Sequence, residues 1–145
     1  MSREKKCVAI VGLGYVGQAV EKLLEPQCEI YRVDPSCYVR LAEGASFEQL
    51  KERANENCEL AFVCVPTESL AGGAADISIV EETVKWLETP IICIKSTVPP
   101  CTTARLRAET GKRIIFNPEY IGEGNYPVPD DWPHPTDMSP RRPNW

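Results

Sequence analysis

The segment IVGLGYVGQAV, Ile10–Val20, sets three glycines, Gly12, Gly14 and Gly17, between an uninterrupted apolar run and a stretch of helical spacing. The run before them, Cys7–Val11, reads CVAIV and suits a strand buried on both faces, as in a parallel sheet. Beyond them Val16, Ala19, Val20, Leu23 and Leu24 recur at helical intervals until Pro26 stops the pattern. A strand, a tight turn and a helix in this order are the opening of a parallel sheet with helical crossovers.

The remainder of the chain continues the alternation. EIYRVD, Glu29–Asp34, reads as a second strand closed by Pro35, and a weak helical stretch is expected around Tyr38–Leu41. SFEQLKERANEN reads as a helix that Ser46 can cap, and ELAFVCVP as a third strand closed by Pro66. After the small-residue loop AGGAAD, Asp76 can cap a helix carrying Ile79, Val80, Val84 and Leu87. PIICIKS is a fourth strand, TTARLRAET a fourth helical piece ended by Gly111, and RIIFNPEY a fifth strand. The expected fold is therefore α/β: a Rossmann-like, doubly wound parallel sheet of about five strands over residues 1–125. Residues 126–145, YPVPDDWPHPTDMSPRRPNW, carry too many prolines for a central strand or a helix and read as an irregular tail. The usual sixth strand has no counterpart there.

The glycine spacing assigns each position a task. Gly12 permits the sharp turn, Gly14 lets the backbone approach a pyrophosphate, and Gly17 allows close helix–strand packing. The helix start offers unpaired N–H groups and the positive end of a dipole to the phosphates. Asp34, about twenty residues beyond Gly14, can accept hydrogen bonds from a ribose and repel a 2′-phosphate, which favours NAD over NADP. Glycines also mark turns that bind nothing, but here strand, helix and acid all stand in place around them.

Composition narrows the classes. A formal net charge of −5 over 145 residues argues against a nucleic-acid binder, and Arg141-Arg142 is too short a basic cluster to alter that. No apolar run approaches the roughly 18 residues of a bilayer span, and MSREKKC leads into a strand without a signal-peptide h-region. The seven cysteines form no C-x-x-C pair, so free thiols in a reducing, cytoplasmic setting are expected and no metal centre. His134, in the proline-rich stretch, reads as a solvated loop residue.

Three further segments, VCVPTES, IKSTVPP and FNPEYIGEG, fall where strands three, four and five end, which is where open α/β sheets bind ligands. Singly, each is an ordinary proline-punctuated loop. Together with GLGYVG and Asp34, the motifs CVPT, KSTVP and NPEYIGEG make residues 5–135 resemble the NAD-binding domain of the UDP-glucose/GDP-mannose dehydrogenase family. That family oxidises the C6 alcohol of a nucleotide sugar to a carboxylate with two NAD in succession, through a cysteine thiohemiacetal and thioester. The resemblance implies that Gly12, Leu13, Gly14, Tyr15, Val16, Gly17 and Asp34 hold the adenosine and pyrophosphate, with Arg40 near the ribose. It implies that Val65, Pro66 and Thr67 line the cleft. Ser96 and Thr97 would stand at the nicotinamide end, with Thr97 orienting a water. Glu119 would act as general base in thioester hydrolysis, and Glu123 would contact cofactor or substrate. Cys101 stands where the family usually has glycine and reads as a tolerated small residue, not as the nucleophile.

The family's connecting helix, nucleophilic cysteine and sugar-binding domain have no counterpart before residue 145. The change of character over 139–145 raises the expectation of a broken reading frame. Two functions are therefore carried forward. One is the cofactor half of a nucleotide-sugar dehydrogenase, which takes its nucleotide-sugar substrate only when a second domain is supplied. The other is a catalytically silent NAD-binding module that forms a homo-oligomer or pairs with a full-length relative through the open sheet edge. A 3-hydroxyacid-type dehydrogenase is disfavoured by KSTVP and NPEYIGEG.

Overall fold

The computed structural model describes residues 5–35 and 46–118. Its elements are β1 (Lys6–Val11), α1 (Tyr15–Leu24), β2 (Cys28–Val33), α2 (Phe47–Asn57), β3 (Leu60–Val63), α3 (Ser78–Trp86), β4 (Ile91–Ile94), α4 (Thr102–Thr110) and β5 (Ile114–Phe116). All strands pair in parallel in the order β2-β1-β3-β4-β5. The stretch Tyr38–Leu41 lies outside the described residues.

The sequence reading of five strands and alternating helices holds. In the common six-strand order 3-2-1-4-5-6, one side of the first strand carries two strands and the other three. Here β3, β4 and β5 fill the three-strand side, and β2 alone occupies the other. Among the described residues the sheet thus has one strand on one side of β1 and three on the other.

Two apolar layers sandwich the sheet. On one face Leu50 and Ala54 of α2, Val80 and Val84 of α3 and Leu106 of α4 pack on Ala9, Val63, Ile92 and their strand neighbours. On the other, Val20 of α1 packs with Ile10 and Cys64. Helix starts follow local chemistry. Ser46 accepts from the Gln49 N–H at 3.3 Å while Gln49 Oε1 accepts from the Ser46 N–H at 2.8 Å, a complete capping box for α2. Asp76 acts one residue earlier than expected: Ile77 is the cap of α3, and Asp76 Oδ1 accepts from the Ser78 N–H at 2.9 Å. Ile79, expected in the core, is 46% exposed, because Val80 and Val84 already fill the inward face. Residues 64–66 leave the sheet, so β3 stops at Val63 rather than at Pro66. Among the described residues no helix is long and apolar enough to cross a membrane.

Candidate functional site

The strand order reverses between β1 and β3, the switch point at which open α/β sheets form a ligand crevice beyond the carboxyl ends of their strands. The glycine turn leaves β1 at this point. Gly12 has φ +88°, and its N–H donates to the Val33 carbonyl at 3.0 Å, tying the turn to the end of β2. A Cβ at Gly12 would stand 2.7 Å from the Cys64 carbonyl oxygen, so β1 and β3 leave no room for a side chain between them. A Cβ at Gly17 would stand 1.9 Å from the Gly12 carbonyl oxygen, so α1 lies against the turn. A Cβ at Gly14 would meet nothing within 4 Å. Two of the glycines are therefore required by protein packing, whereas the third faces open space.

That space adjoins the start of α1. No side chain caps this helix, and its first backbone bond runs from the Gln18 N–H to the Gly14 carbonyl at 3.0 Å. The amides of Tyr15 and Val16 thus precede the helical ladder, where an anion can accept from them. Gln18, which sequence reading did not single out, donates from Nε2 to the Leu13 carbonyl at 2.8 Å and braces the turn from below. Asp34, one residue beyond β2, accepts from the Leu13 N–H through Oδ2 at 2.7 Å. The bond fixes the carboxylate beside the turn.

Further along the same edge, Val65 is buried while Pro66 is exposed and Thr67 half-buried. Ser96 is buried, and its hydroxyl donates to the Val65 carbonyl at 2.7 Å. Its N–H donates to the Val63 carbonyl at 3.1 Å. Its place is a clamp between the ends of β3 and β4, with Thr97 beside it exposed. Lys95 Nζ donates to Asn117 Oδ1 at 2.9 Å and links the ends of β4 and β5. Both residues sit inside the quoted motifs, but only the sheet order shows that they meet. The fold thus aligns Asp34, the glycine turn, Val65–Thr67, Ser96–Thr97 and Asn117 along one carboxyl edge. Arg40, Glu119 and Glu123 lie outside the described residues. Among the described residues no group of three or more His, Cys, Asp or Glu side chains is placed to hold a metal ion.

Comparison with known proteins agrees with this geometry. Residues 18–130 match the family model described as "UDP-glucose/GDP-mannose dehydrogenase family, NAD binding domain". A UDP-glucose 6-dehydrogenase of Rickettsia bellii is 32% identical over 93 residues, covering 57% of this chain and 21% of that protein. The chain therefore spans about a fifth of the length of this curated relative. Among solved structures, a UDP-glucose dehydrogenase from Pyrobaculum islandicum aligns with TM-score 0.64 and 26% identity over 85% of this chain and 38% of that one. A GDP-mannose dehydrogenase from Pseudomonas aeruginosa, solved as a ternary complex, aligns with TM-score 0.62 over 79% of this chain and 36% of that one. At 22% identity the latter likeness is one of fold. The family match begins at Gln18, so the glycine turn before it stands on the geometry given above.

Proposed function

The chain belongs to the UDP-glucose/GDP-mannose dehydrogenase family as its NAD-binding domain, and we propose that it serves the NAD-dependent oxidation of a nucleotide-sugar C6 alcohol to a carboxylate by holding the cofactor. The observation that carries the proposal is the open cradle at Gly14, flanked by the uncapped start of α1 and by the Asp34 carboxylate bound to the Leu13 amide. A pyrophosphate accepts from free amides and needs a backbone without a side chain in its way, which is what this turn offers. Asp34 accepts from the adenosine ribose hydroxyls, and its charge opposes a 2′-phosphate. In this reading Val65, Pro66 and Thr67 wall the crevice, and Arg40 would serve the ribose.

Bound NAD supplies the hydride acceptor. In this reading Ser96 acts by position: its hydroxyl is committed to the Val65 carbonyl, and Thr97 beside it would serve the nicotinamide end. Thr97 orients a water, Glu119 draws a proton from it, and Glu123 reaches cofactor or substrate. In this reading the nucleotide sugar is taken by a second domain supplied to this one.

Calorimetric titration of the chain with NAD and with NADP tests the cofactor reading. NAD should bind at least about tenfold tighter, a difference of roughly 1.4 kcal/mol, and Asp34→Asn should narrow the gap. A chain that is folded by circular dichroism yet takes up no NAD would overturn the reading.

A further inference from the structure

Two thiols meet at the amino end of the sheet, away from the glycine turn. Cys7 of β1 pairs in register with Glu29 of β2, and its Sγ donates to Glu29 Oε2 at 3.7 Å. Cys7, Ala9 and Val11 turn to the α2 face and pack in the cluster that contains Cys58. Cys58 closes α2: its N–H donates to the Ala54 carbonyl at 3.0 Å, and the residue is 4% exposed. The Glu59 N–H donates to the Cys7 carbonyl at 3.3 Å, which extends the β1–β3 register by one residue and sets Cys58 one position away from Cys7. Neighbouring strands lie about 4.8 Å apart and rise about 3.3 Å per residue, so the two Cα atoms stand roughly 6 Å apart. A disulfide bridges Cα atoms about 4.4–6.8 Å apart. Cys28, opposite Lys6, is as near to Cys7 in register, but alternation turns it to the face of Ile30 and α1. Cys64 is two positions off register from Cys93, roughly 8 Å, which is beyond that range.

We propose that Cys7 and Cys58 are a redox-responsive pair, which a small-molecule disulfide converts to an intramolecular disulfide tying β1 to the end of α2. The surroundings of the two thiols set the order of events. Cys7 is half-buried and bonded to a carboxylate, so an outside reagent reaches it first. Its sulfur attacks one sulfur of the reagent, whose S–S bond breaks. One thiol leaves with the electron pair and with the proton that Cys7 gives up through Glu29. Cys58 is closed to the reagent: burial first, and then Cys7 and Glu29, push its thiol from 9.0 up to about 12. It reacts only with the sulfur already held beside it. Its sulfur attacks that of Cys7, the mixed S–S bond breaks, and the second thiol leaves with the Cys58 proton. Two protein thiols are thereby oxidised to one disulfide while the reagent is reduced to two thiols. The bridge closes a loop that holds the glycine turn, α1, β2 and α2, which restricts the unfolded chain. It lies at the opposite end of β1 from the crevice, so its formation is independent of cofactor binding.

The test treats the full, reduced, folded chain with glutathione disulfide and maps its peptides without reduction. The peptides of Cys7 and Cys58 should appear joined, as the main internal link, in a protein of monomeric mass. The oxidised chain should melt at least about 5 °C higher than the reduced one, and dithiothreitol should reverse the shift. In Cys58→Val, Cys7 should stop at the mixed disulfide with glutathione. In Cys7→Ser, Cys58 should stay unmodified. Glutathione on the exposed Cys101 shows that the reagent was active in each sample. A folded chain that carries glutathione on Cys101 but no link between Cys7 and Cys58 would overturn the proposal. A link that forms only in urea would overturn it too, as would equal modification of Cys58 in parent and Cys7→Ser.

Discussion

A methyl group added at Gly17 would collide with the Gly12 carbonyl oxygen at 1.9 Å, whereas one added at Gly14 would meet no protein atom within 4 Å. The two positions therefore separate packing from ligand approach. Gly17→Ala should cost about 2–4 kcal/mol of stability, since the neighbour it strikes is backbone and cannot rotate away. Gly14→Ala should stay within about 1 kcal/mol of the parent and yet weaken NAD at least about tenfold, because its methyl group enters the space in which the proposed function puts the pyrophosphate. Thermal melts and calorimetry on both variants check this. Retained NAD affinity in Gly14→Ala would remove the pyrophosphate from this turn. The spacing of the glycines and the place of Asp34 were legible in the sequence. That Asp34 accepts from the Leu13 amide, and that the Ser96 hydroxyl is committed to the Val65 carbonyl, were not. Both bonds join segments that follow different strands, and no local pattern specifies which backbone atom a folded neighbour presents.

Both ends of α4 lie in the left-handed region, at φ 69° for Cys101 and φ 69° for Gly111. Glycine suits that conformation at the end of the helix, but at its start a side chain occupies it, where the family resemblance leads one to expect glycine. A non-glycine residue there costs about 1–2 kcal/mol, partly offset by the lower unfolded-state entropy of cysteine. Cys101→Gly should therefore raise stability by about 0.5–1 kcal/mol, seen as a higher urea midpoint at an unchanged slope. An unchanged midpoint would mean that the turn relaxes at no cost. At the level of elements, the Ser46 cap and the Gly111 stop were readable from single residues. The end of α3 was not: Lys112 Nζ donates to the Val84, Lys85 and Leu87 carbonyls at 2.8, 2.6 and 2.8 Å, so a residue just before β5 caps a helix well upstream.

Across the whole molecule, burial of ionisable groups ties stability to alkaline pH. Burial, with the neighbouring Cys7 and Glu29, pushes the Cys58 thiol from 9.0 up to about 12. The folded chain keeps this proton where the unfolded chain loses it. The stability it contributes is full below pH 9.0 and falls as pH rises toward about 12. Tyr31, raised from 10.0 by burial and then by Glu29, acts in the same sense, while Lys112, lowered from 10.5 by burial, acts in the opposite one. Urea unfolding should show stability that is steady below pH 9.0 and declines from there toward about 12. Cys58→Val, which keeps the site apolar, should flatten the decline. An unaltered slope in that variant would move the linkage to Tyr31.

By itself the sequence determined the elements, their parallel pairing and the end of the sheet at which a dinucleotide is held. Those features rest on hydrophobic period, turn residues and cap residues, which act over a few neighbours. The tertiary structure alone decided that β1 stands between β2 and β3, that Ser96 clamps β3 to β4, and that among the described residues α2, α3 and α4 pack on one sheet face and α1 on the other. Each of these depends on which strands become neighbours in space, and that is set by the handedness of crossovers and by burial over the whole sheet rather than by any short run of residues.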